Sequence, residues 1–413
     1  MTDWVRDRAA ATPDAPVVVF GDRTTTYAEL DEAADRSVDE LRSKGLGRGS
    51  LMPFSAVPRP ETVELLVSGS RLGATLAPFG PTPPGAGEDA PDDAYAVVTT
   101  SGSSGDPKGV ILTAENITAA LASSQGRLGN DASDRWLLCL PLYHIAGLSV
   151  IWRSLAAGGS VLINDRFDAG LVAGALREGA VSMASLVPTM LHRVLEADPG
   201  PYRGVKAVLL GGGPATSELI GRALEAGLPV LTTYGTTETC SQVATVSPGT
   251  ERDAIGTVGF PLDEMSVTFE DGEILVDGPA VSPGYVGEPP RVGPHRTRDL
   301  GHLDEAGRLV VTGRKDEVIL TGGEKVAPQM VEAVLESFPS ISRAVVIGVA
   351  DDDWGQAVVA VFEGDDLDEA TLGSRARAAL AVHQVPKRWL RVEALPELPN
   401  GKVDRLAVAA LLA

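Results

Sequence analysis

The sequence is poor in cysteine and in positive charge, and each shortage excludes a class of protein. Its two cysteines, Cys139 and Cys240, lie far apart in 413 residues, which favours a reduced chain over a disulfide framework, although one disulfide between them stays open. Lys and Arg number 35 against 56 Asp and Glu, giving a net charge of −21. This charge argues against nonspecific binding of nucleic acid or of anionic membranes.

Long apolar runs and metal-binding patterns are missing too. No apolar run could span a bilayer, and residues 1–7 show no signal-peptide pattern. The 5 histidines show no metal-ligand spacing with the cysteines. We therefore expect a cytoplasmic protein without stable membrane association, and the length of 413 residues predicts two or more domains.

The most informative stretch is Thr100-Ser101-Gly102-Ser103-Ser104-Gly105-Asp106-Pro107-Lys108-Gly109, which follows an apolar run at 95–98 that predicts a buried strand. Its small residues leave backbone N–H groups exposed to phosphate oxygens, and the hydroxyl groups and Lys108 add donors. The spacing is not that of a P-loop NTPase, because Pro107 and Gly109 stand where that pattern needs Gly and Ser or Thr. A flexible Gly/Ser turn is the alternative.

Three further motifs follow strand-like runs, where open α/β sheets bind ligands. They are Pro141–Gly147, which contains His144; Gly211-Gly212-Gly213-Pro214; and Tyr234-Gly235-Thr236-Thr237-Glu238. Glycine in such a loop lets a ligand approach the backbone. From the residues alone, a packed core histidine explains His144 better, and a tight turn explains the glycines.

Together and in this order, the motifs resemble those of the adenylate-forming enzymes, which include acyl-CoA synthetases, nonribosomal adenylation domains and luciferases. The resemblance covers most of the chain and extends to three later motifs. These are Arg298-Asp299-Leu300-Gly301 with Gly313-Arg314, then Thr321-Gly322-Gly323-Glu324-Lys325, and finally Leu398-Pro399-Asn400-Gly401-Lys402. One departure is Arg298, which stands where the family usually has glycine.

For the nucleotide, the resemblance implies contacts with adenosine, ribose and phosphates. The residues implied are Thr100, Ser101, Gly102, Ser103, Ser104 and Lys108 for phosphate; Gly212, Gly213, Pro214, Tyr234, Gly235 and Thr236 for adenosine, with Tyr234 stacked on adenine; and Asp299 and Arg314 for ribose or phosphate. Surface charges are the alternative for the last two.

For the chemistry, the resemblance implies that Thr237 bonds to the α-phosphate, Glu238 holds Mg²⁺, and His144 and Gly235 border the acid. Lys402 would bridge the acid and the α-phosphate, an electrostatic role, although a lone lysine there is usually solvated. The remaining implied residues act in the thioester step: Gly322, Gly323 and Glu324 in the coenzyme A tunnel, and Asp316 as the hinge.

Helix and strand patterns alternate from 116 to 249, as in a parallel sheet covered on both faces, and short strands follow from 256. We predict an α/β fold in which the N-terminal domain, residues 1–313, combines parallel α/β subdomains with a small β-rich subdomain. A small mobile α+β C-terminal domain, 314–413, follows. Most family members are longer before the phosphate loop, so the N-terminal domain is expected to be shortened before residue 95.

The implied activity is that of a ligase using ATP, Mg²⁺ and coenzyme A. A carboxylate attacks the α-phosphate to give acyl-AMP and pyrophosphate, and the coenzyme A sulfur then displaces AMP. Residues 141–150, Trp152-Arg153 and 234–242 are most similar to the branch of the family that acts on o-succinylbenzoate, which implies that acid in menaquinone biosynthesis. The sequence leaves open that the acid is another one, that the acceptor is a carrier-protein phosphopantetheine, and that the chain is a truncated, silent homologue that only binds. It also leaves a homodimer open.

Arg153 lies in a run, 146–157, that predicts a helix apolar almost all round. Arginine is rarely buried unless paired, and an unpaired buried charge is costly. The side chain could pair with an internal carboxylate or extend to the surface. Alternatively, its paired donors could bind a second carboxylate on the substrate, as a dicarboxylic aromatic acid would supply.

Overall fold

The computed structural model describes residues 3–80, 93–100, 108–338, 340–397 and 403–412. Residue contacts divide the chain into unit 1 (Met1–Gly212, Gly221–Val267 and Leu275–His295) and unit 2 (Gly213–Ile220, Thr268–Ile274 and Arg296–Ala413). The predicted hinge at Asp316 lies within unit 2, and the domain division beside it stays a prediction. Residues 101–107 of the phosphate loop and the Leu398–Lys402 motif lie outside the described residues.

The helices are α1 (Trp4–Ala11), α2 (Tyr27–Ser43), α3 (Pro60–Leu72), α4 (Ala114–Leu128), α5 (Ile145–Ala157), α6 (Ala169–Arg177), α7 (Pro188–Ala197), α8 (Ser217–Glu225), α9 (Pro328–Glu336), α10 (Glu369–Ala379) and α11 (Arg405–Ala410). The strands are β1 (Pro16–Phe20), β2 (Arg23–Thr26), β3 (Leu51–Ser55), β4 (Thr75–Phe79), β5 (Ala94–Thr100), β6 (Lys108–Thr113), β7 (Arg135–Leu138), β8 (Ser160–Ile163), β9 (Met183–Leu186), β10 (Ala207–Leu210), β11 (Val230–Tyr234), β12 (Ala244–Thr245), β13 (Phe260–Pro261), β14 (Ser266–Glu270), β15 (Glu273–Asp277), β16 (Gly284–Tyr285), β17 (His295–Leu303), β18 (Leu309–Arg314), β19 (Ile319–Thr321), β20 (Glu324–Val326), β21 (Ile341–Asp351), β22 (Gly355–Gly364) and β23 (Arg388–Arg391). Short 3-10 helices lie at Thr237–Thr239, Lys315–Glu317 and Val382–Gln384.

Unit 1 contains a nine-stranded sheet in the order β13-β12-β11-β10-β9-β7-β8-β1-β2. From β11 to β1 the neighbouring strands run parallel, which confirms the predicted α/β class. Every residue of β9 and β10 is buried, and Trp136 in β7 is fully buried. Strands buried on both faces read as continuous apolar runs; such runs at 160–163 and 207–210 predict two strands, and β8 and β10 have these bounds.

The second sheet of unit 1 has the order β16-β6-β5-β4-β3. Strands β3 and β4 carry Pro53 and Pro78, and the sequence analysis did not predict either strand. Proline cannot donate to a neighbouring strand and is confined to edges and strand ends, so it weakens the sequence signal. Both prolines lie at positions that tolerate proline, because Pro53 belongs to the edge strand β3 and Pro78 lies near the end of β4.

Thr26 and Glu29 stand three residues apart, a spacing that predicts a capping box, and the amino terminus of α2 confirms it. The amide of Glu29 donates to Thr26 Oγ1 at 3.2 Å, and the amide of Thr26 donates to Glu29 Oε2 at 2.8 Å. These two bonds form a capping box, which satisfies backbone donors that a helix start leaves unpaired. None of the helices within the described ranges carries an apolar, nearly uncharged stretch of bilayer length.

Most of the four-stranded sheet β14-β15-β17-β18 belongs to unit 2, which also contains the whole of a second sheet in the order β20-β19-β22-β21 with β23 paired to β22. Helices α9 and α10 cover one face of the second sheet, where Val331, Leu335, Phe362 and Leu372 form a common core. A smaller cluster contains Val408 of α11 together with buried residues of β21 and β22. The predicted α+β character of this region is confirmed.

Glu336, at the end of α9, generates a pH-dependent prediction. Its carboxylate accepts a hydrogen bond from the amide of Ala344 at 3.0 Å, and burial raises its pKa to about 7, to which Glu332 and Glu363 contribute. The folded state therefore binds this proton more tightly than the unfolded chain. That stabilisation is complete below a pH of about 4.5 and is lost as pH rises through about 7.

We expect Glu336→Gln, which keeps the acceptor, to raise the free energy of unfolding of unit 2 by about 1–3 kcal/mol at pH 8. At pH 4.5 the variant should match the wild type. Hydrogen exchange of the β21 and β22 amides at both pH values measures the effect, with the exposed Glu393→Gln as the control. An equal change at both pH values would rule out the proton as the cause.

Candidate active site

Three predicted motifs of unit 1 meet at one edge of the nine-stranded sheet. His144 follows β7, Gly212 follows β10, and Glu238 lies in the short helix after β11. These strands are parallel and lie in the order β11-β10-β9-β7, so their carboxyl ends point to the same edge. This edge is where open α/β sheets bind ligands. Gly213 and Pro214 belong to unit 2 by their contacts and are not grouped with these residues.

The loop that holds Thr236, Thr237 and Glu238 turns back on itself directly after β11. The Ser241 amide donates to the Thr236 carbonyl at 3.0 Å. A Cβ on Gly235 would lie 1.4 Å from the carbonyl oxygen of Ser241. Glycine at 235 is thus required by the fold of the loop itself, a reason that the sequence analysis did not give. Tyr234, the last residue of β11, is largely buried.

The two ends of the phosphate loop are fixed by the pairing of β5 with β6. Thr100 lies opposite Lys108 in this pair, and its hydroxyl donates to the Lys108 carbonyl at 3.4 Å. The Lys108 Nζ forms an ion pair with Glu288 Oε1 at 2.8 Å. Both side chains are nearly half exposed, so the ion pair is weak and a phosphate can replace the carboxylate.

Tyr285, in β16, contacts both the loop lysine and the predicted metal ligand. Its hydroxyl donates to Glu238 Oε1 at 2.9 Å, and its ring centre lies 5.0 Å from Lys108 Nζ. Strand β16 pairs with β6, which sets Tyr285 opposite Val110. Tyr285 and Glu288 were not predicted, because no motif includes them; the Gly284-Tyr285 pair was the available signal.

Glu238 fits a magnesium ion that is bound mainly by phosphate. No group of three or more His, Cys, Asp or Glu side chains able to hold a metal occurs in the ranges that the structure describes. Within those ranges the Glu238 carboxylate has a neutral donor, Tyr285, and no Lys or Arg partner, so its charge is not neutralised. Mg²⁺ commonly takes one or two protein carboxylates and completes its shell with phosphate and water.

Helix α5 carries His144 at its N-cap and Arg153 about 13 Å further along. The His144 ring packs against Tyr143 with the ring centres 4.5 Å apart. Arg153 is 5% exposed and does not extend to the surface. Its Nε donates to Ser124 Oγ at 3.0 Å and its Nη2 to Ser241 Oγ at 3.2 Å.

The Arg153 charge has no carboxylate partner among the described residues. The side chain lies over the ring of Trp136 at 5.8 Å, and burial lowers its pKa to about 10. The neighbouring thiol of Cys240 is buried, as is that of Cys139, and both are free, so no disulfide joins them. Hydroxyl groups orient the guanidinium without cancelling its charge, which leaves it able to attract an anion.

In unit 2, Asp299 and Arg314 lie opposite each other on β17 and β18, and Arg314 Nη1 donates to Asp299 Oδ1 at 3.1 Å. Arg314 also binds both carboxylate oxygens of Asp316, at 3.1 and 3.2 Å. Burial acts to lower the pKa of Arg314, but the two carboxylates outweigh it and raise that pKa above its ordinary value. Arg298 has φ +62°, in the left-handed region that glycine favours, which explains why a glycine at this place is usual.

The turn at Gly322 and Gly323 has φ values of +57° and +84°. The Gly322 amide donates to the Trp354 carbonyl at 2.8 Å, and a Cβ on Gly322 would lie 2.9 Å from the Trp354 ring. That ring is 43% exposed, and Lys387 Nζ lies 4.4 Å from its centre. The sequence analysis placed Glu324 here but missed Trp354 and Lys387, which neighbour the turn only in the fold.

Comparison with family models identifies the chain. The model described as AMP-binding enzyme matches residues 5–88 and 83–286, and the model of the AMP-binding enzyme C-terminal domain matches 330–402. The chain belongs to the AMP-binding enzyme family. These matches cover more than half of the chain and confirm the resemblance inferred from the motifs.

Individual AMP-binding enzymes are similar over almost the whole length. The 2-succinylbenzoate–CoA ligase of Bacillus licheniformis is 34% identical, with 98% of each chain covered. The o-succinylbenzoate CoA synthetase of Bacillus subtilis, in complex with the acyl-adenylate intermediate OSB-AMP, has a TM-score of 0.89 at 29% identity, covering 99% of this chain and 98% of that one. The same synthetase in complex with ATP and magnesium ion has a TM-score of 0.88 at 29% identity, covering 99% of each chain.

The Lys108–Glu288 ion pair predicts that the Glu288 carboxylate competes with the phosphates of ATP for Lys108. Replacing Glu288 by Gln should lower the dissociation constant for ATP by roughly 1.4- to fivefold, since an exposed ion pair is worth about 0.2–1 kcal/mol. Equilibrium ATP titration measures it, with Glu264→Gln, an exposed carboxylate in the same unit, as the control. Weaker ATP binding by Glu288→Gln would contradict this role.

Proposed function

We propose that the chain is an ATP-dependent acid–CoA ligase that adenylates a carboxylic acid, releases pyrophosphate and transfers the acyl group to coenzyme A. The acid is o-succinylbenzoate, the substrate of menaquinone biosynthesis. The observation that carries the proposal is that Lys108 and Glu238 both contact Tyr285. Lys108 Nζ lies over the tyrosine ring, and the Glu238 carboxylate accepts a hydrogen bond from the tyrosine hydroxyl. The proposal is supported by relatives that are named 2-succinylbenzoate–CoA ligase and align over 98% of both chains.

In the first step, residues of the phosphate loop, Lys108 among them, bind the phosphates, and Thr237 donates to the α-phosphate. A magnesium ion held by Glu238 and phosphate oxygens would supply charge neutralisation at the phosphates. Lys402, which lies outside the described residues, is proposed to bridge the acid and the α-phosphate. His144 and Gly235 border the attacking carboxylate.

The adenosine part of ATP is recognised by residues of complementary chemistry. Tyr234 offers its ring to adenine, and Gly212 allows adenosine to approach the backbone, as do Gly213 and Pro214. Asp299 accepts the ribose hydroxyl groups, and Arg314 fixes its carboxylate at 3.1 Å for that purpose. A hydrogen bond to a charged acceptor is about twice as strong as a neutral one, so a fixed carboxylate suits a diol.

In the second step, coenzyme A is the acceptor. Gly322 and Gly323 give the turn a backbone without side chains, so a narrow pantetheine arm can pass beside Glu324. The exposed Trp354 ring and the Lys387 ammonium group next to it match the apolar and the phosphate parts of coenzyme A. Asp316 is the proposed hinge that changes between the two steps. The two free thiols are consistent with a cytoplasmic location.

The test is to measure pyrophosphate release and thioester formation with o-succinylbenzoate and either coenzyme A or a carrier protein with phosphopantetheine. We expect pyrophosphate release with this acid and a thioester with free coenzyme A. Lys402→Ala should reduce the first step by about 10²–10³-fold and spare thioester formation from added acyl-AMP. Loading of the carrier protein alone would show that the acceptor is the carrier protein and not coenzyme A. An absence of pyrophosphate release with every carboxylic acid would favour a silent binding protein.

Arg153 is proposed to bind the second carboxylate of o-succinylbenzoate, because it is buried and its hydrogen bonds among the described residues go to hydroxyl groups and not to a carboxylate. Arg153→Leu should reduce discrimination between o-succinylbenzoate and an analogue without the distal carboxylate by about 1.5–3 kcal/mol. The ratio of kcat/KM for the two acids measures this, and Arg193→Leu on α7 is the control. An unchanged ratio would assign Arg153 a structural role.

A further inference from the structure

The segment 279–288 runs beside β6, with which β16 pairs antiparallel, and is held there by bonds that do not involve the Tyr285 side chain. The Asn116 side chain donates to two carbonyl groups of the segment, at 2.8 and 3.0 Å. The Ser282 hydroxyl donates to the Ile111 carbonyl at 2.6 Å, and the Val286 amide donates to the Gly109 carbonyl at 2.9 Å. These bonds fix the backbone on which Tyr285 stands, so its hydroxyl is not needed to hold the segment.

The same segment also contacts the loop of Glu238. The Ser282 amide donates to the Glu238 carbonyl at 2.7 Å, so the backbone at 238 and the segment form one connected structure. From that fixed position the Tyr285 hydroxyl reaches Glu238 Oε1 at 2.9 Å. A glutamate side chain loses rotamer entropy when it is fixed, and a donor already in place offsets part of that cost.

The chemical nature of the donor matters as much as its position. A lysine or arginine at 285 would also orient the carboxylate, but its positive charge would repel a cation from Glu238. A tyrosine hydroxyl is neutral, so it orients one oxygen and leaves the carboxylate charge intact. Partners that orient metal-binding carboxylates in this way commonly set metal affinity.

We propose that Tyr285 is a positioning residue that acts through Glu238 to set the affinity for the divalent cation of ATP. This inference rests on the proposed role of Glu238 as the metal ligand. It adds a residue outside every motif of the sequence analysis. Its hydroxyl serves the carboxylate, while its ring faces Lys108 Nζ at 5.0 Å and is retained in a phenylalanine variant.

The experiment compares wild type and Tyr285→Phe by calorimetric titration with Mg²⁺·ATP and with ATP in EDTA. The dissociation constant for Mg²⁺·ATP should rise roughly 10–100-fold, whereas that for ATP in EDTA should not change. Tyr202→Phe is the matched control, because its hydroxyl donates to the Asp198 carbonyl at 2.6 Å, away from the described motifs. Equal losses with and without Mg²⁺, or a lowered unfolding midpoint in place of the Mg²⁺ effect, would overturn the proposal in favour of a structural role.

Glu238→Gln separates failure of this inference from failure of the proposed function. If Tyr285 acts through Glu238, adding Tyr285→Phe to Glu238→Gln should cause little further loss of Mg²⁺·ATP affinity. If Glu238→Gln weakens Mg²⁺·ATP binding and Tyr285→Phe does not, the inference fails and the metal role of Glu238 stands. If Glu238→Gln has no Mg²⁺-dependent effect, the metal role fails and the inference with it.

Discussion

Charge is the constraint on which the site depends: a chain of net charge −21 is proposed to bind ATP and a carboxylic acid, which are both anions. The summed field of the protein repels such ligands, so the attraction has to come from a few cations held in place. Lys108, Arg153 and Arg314 are three cations of the predicted motifs whose side-chain partners the structure describes. The structure holds each of them with a different kind of partner, and the partner determines what each can do.

Lys108 is paired with Glu288 where water screens both groups, so its partner can be exchanged for phosphate at low cost. Arg314 is held by two carboxylates, and its charge is therefore compensated. With its charge compensated in this way, Arg314 is proposed to fix Asp299 rather than to attract an anion. Arg153 is buried with hydroxyl partners and keeps an uncompensated charge, which gives it the strongest tendency of the three to bind a carboxylate.

The sequence predicted those parts of the fold whose signal is local. The pattern at 188–197, which begins with a proline, predicts a helix, and the apolar run at 207–210 predicts a strand. Helix α7 and strand β10 have these bounds because proline and continuous apolar runs are properties of neighbouring residues. Strands β3 and β4 were not predicted, because proline interrupts their short apolar runs. The Tyr285–Glu238 bond joins residues 47 positions apart, and Trp354 meets Gly322 only through strand pairing. No periodicity within a segment carries such information, so these site residues required the structure.

Arg298 shows why a departure from a family pattern has to be judged by what the position does. The left-handed conformation at 298 costs a residue with a side chain roughly 1–2 kcal/mol. The neighbouring Asp299 is nevertheless held by its pairing with Arg314 across β17 and β18, and the Arg298 amide donates to Glu273 at 3.3 Å. The strain at Arg298 therefore lowers the stability of the fold but does not displace the Asp299 carboxylate. A change at Lys108 or Glu238 would instead remove a charge from the proposed phosphate and metal sites, and both residues are present, which weighs against a silent homologue.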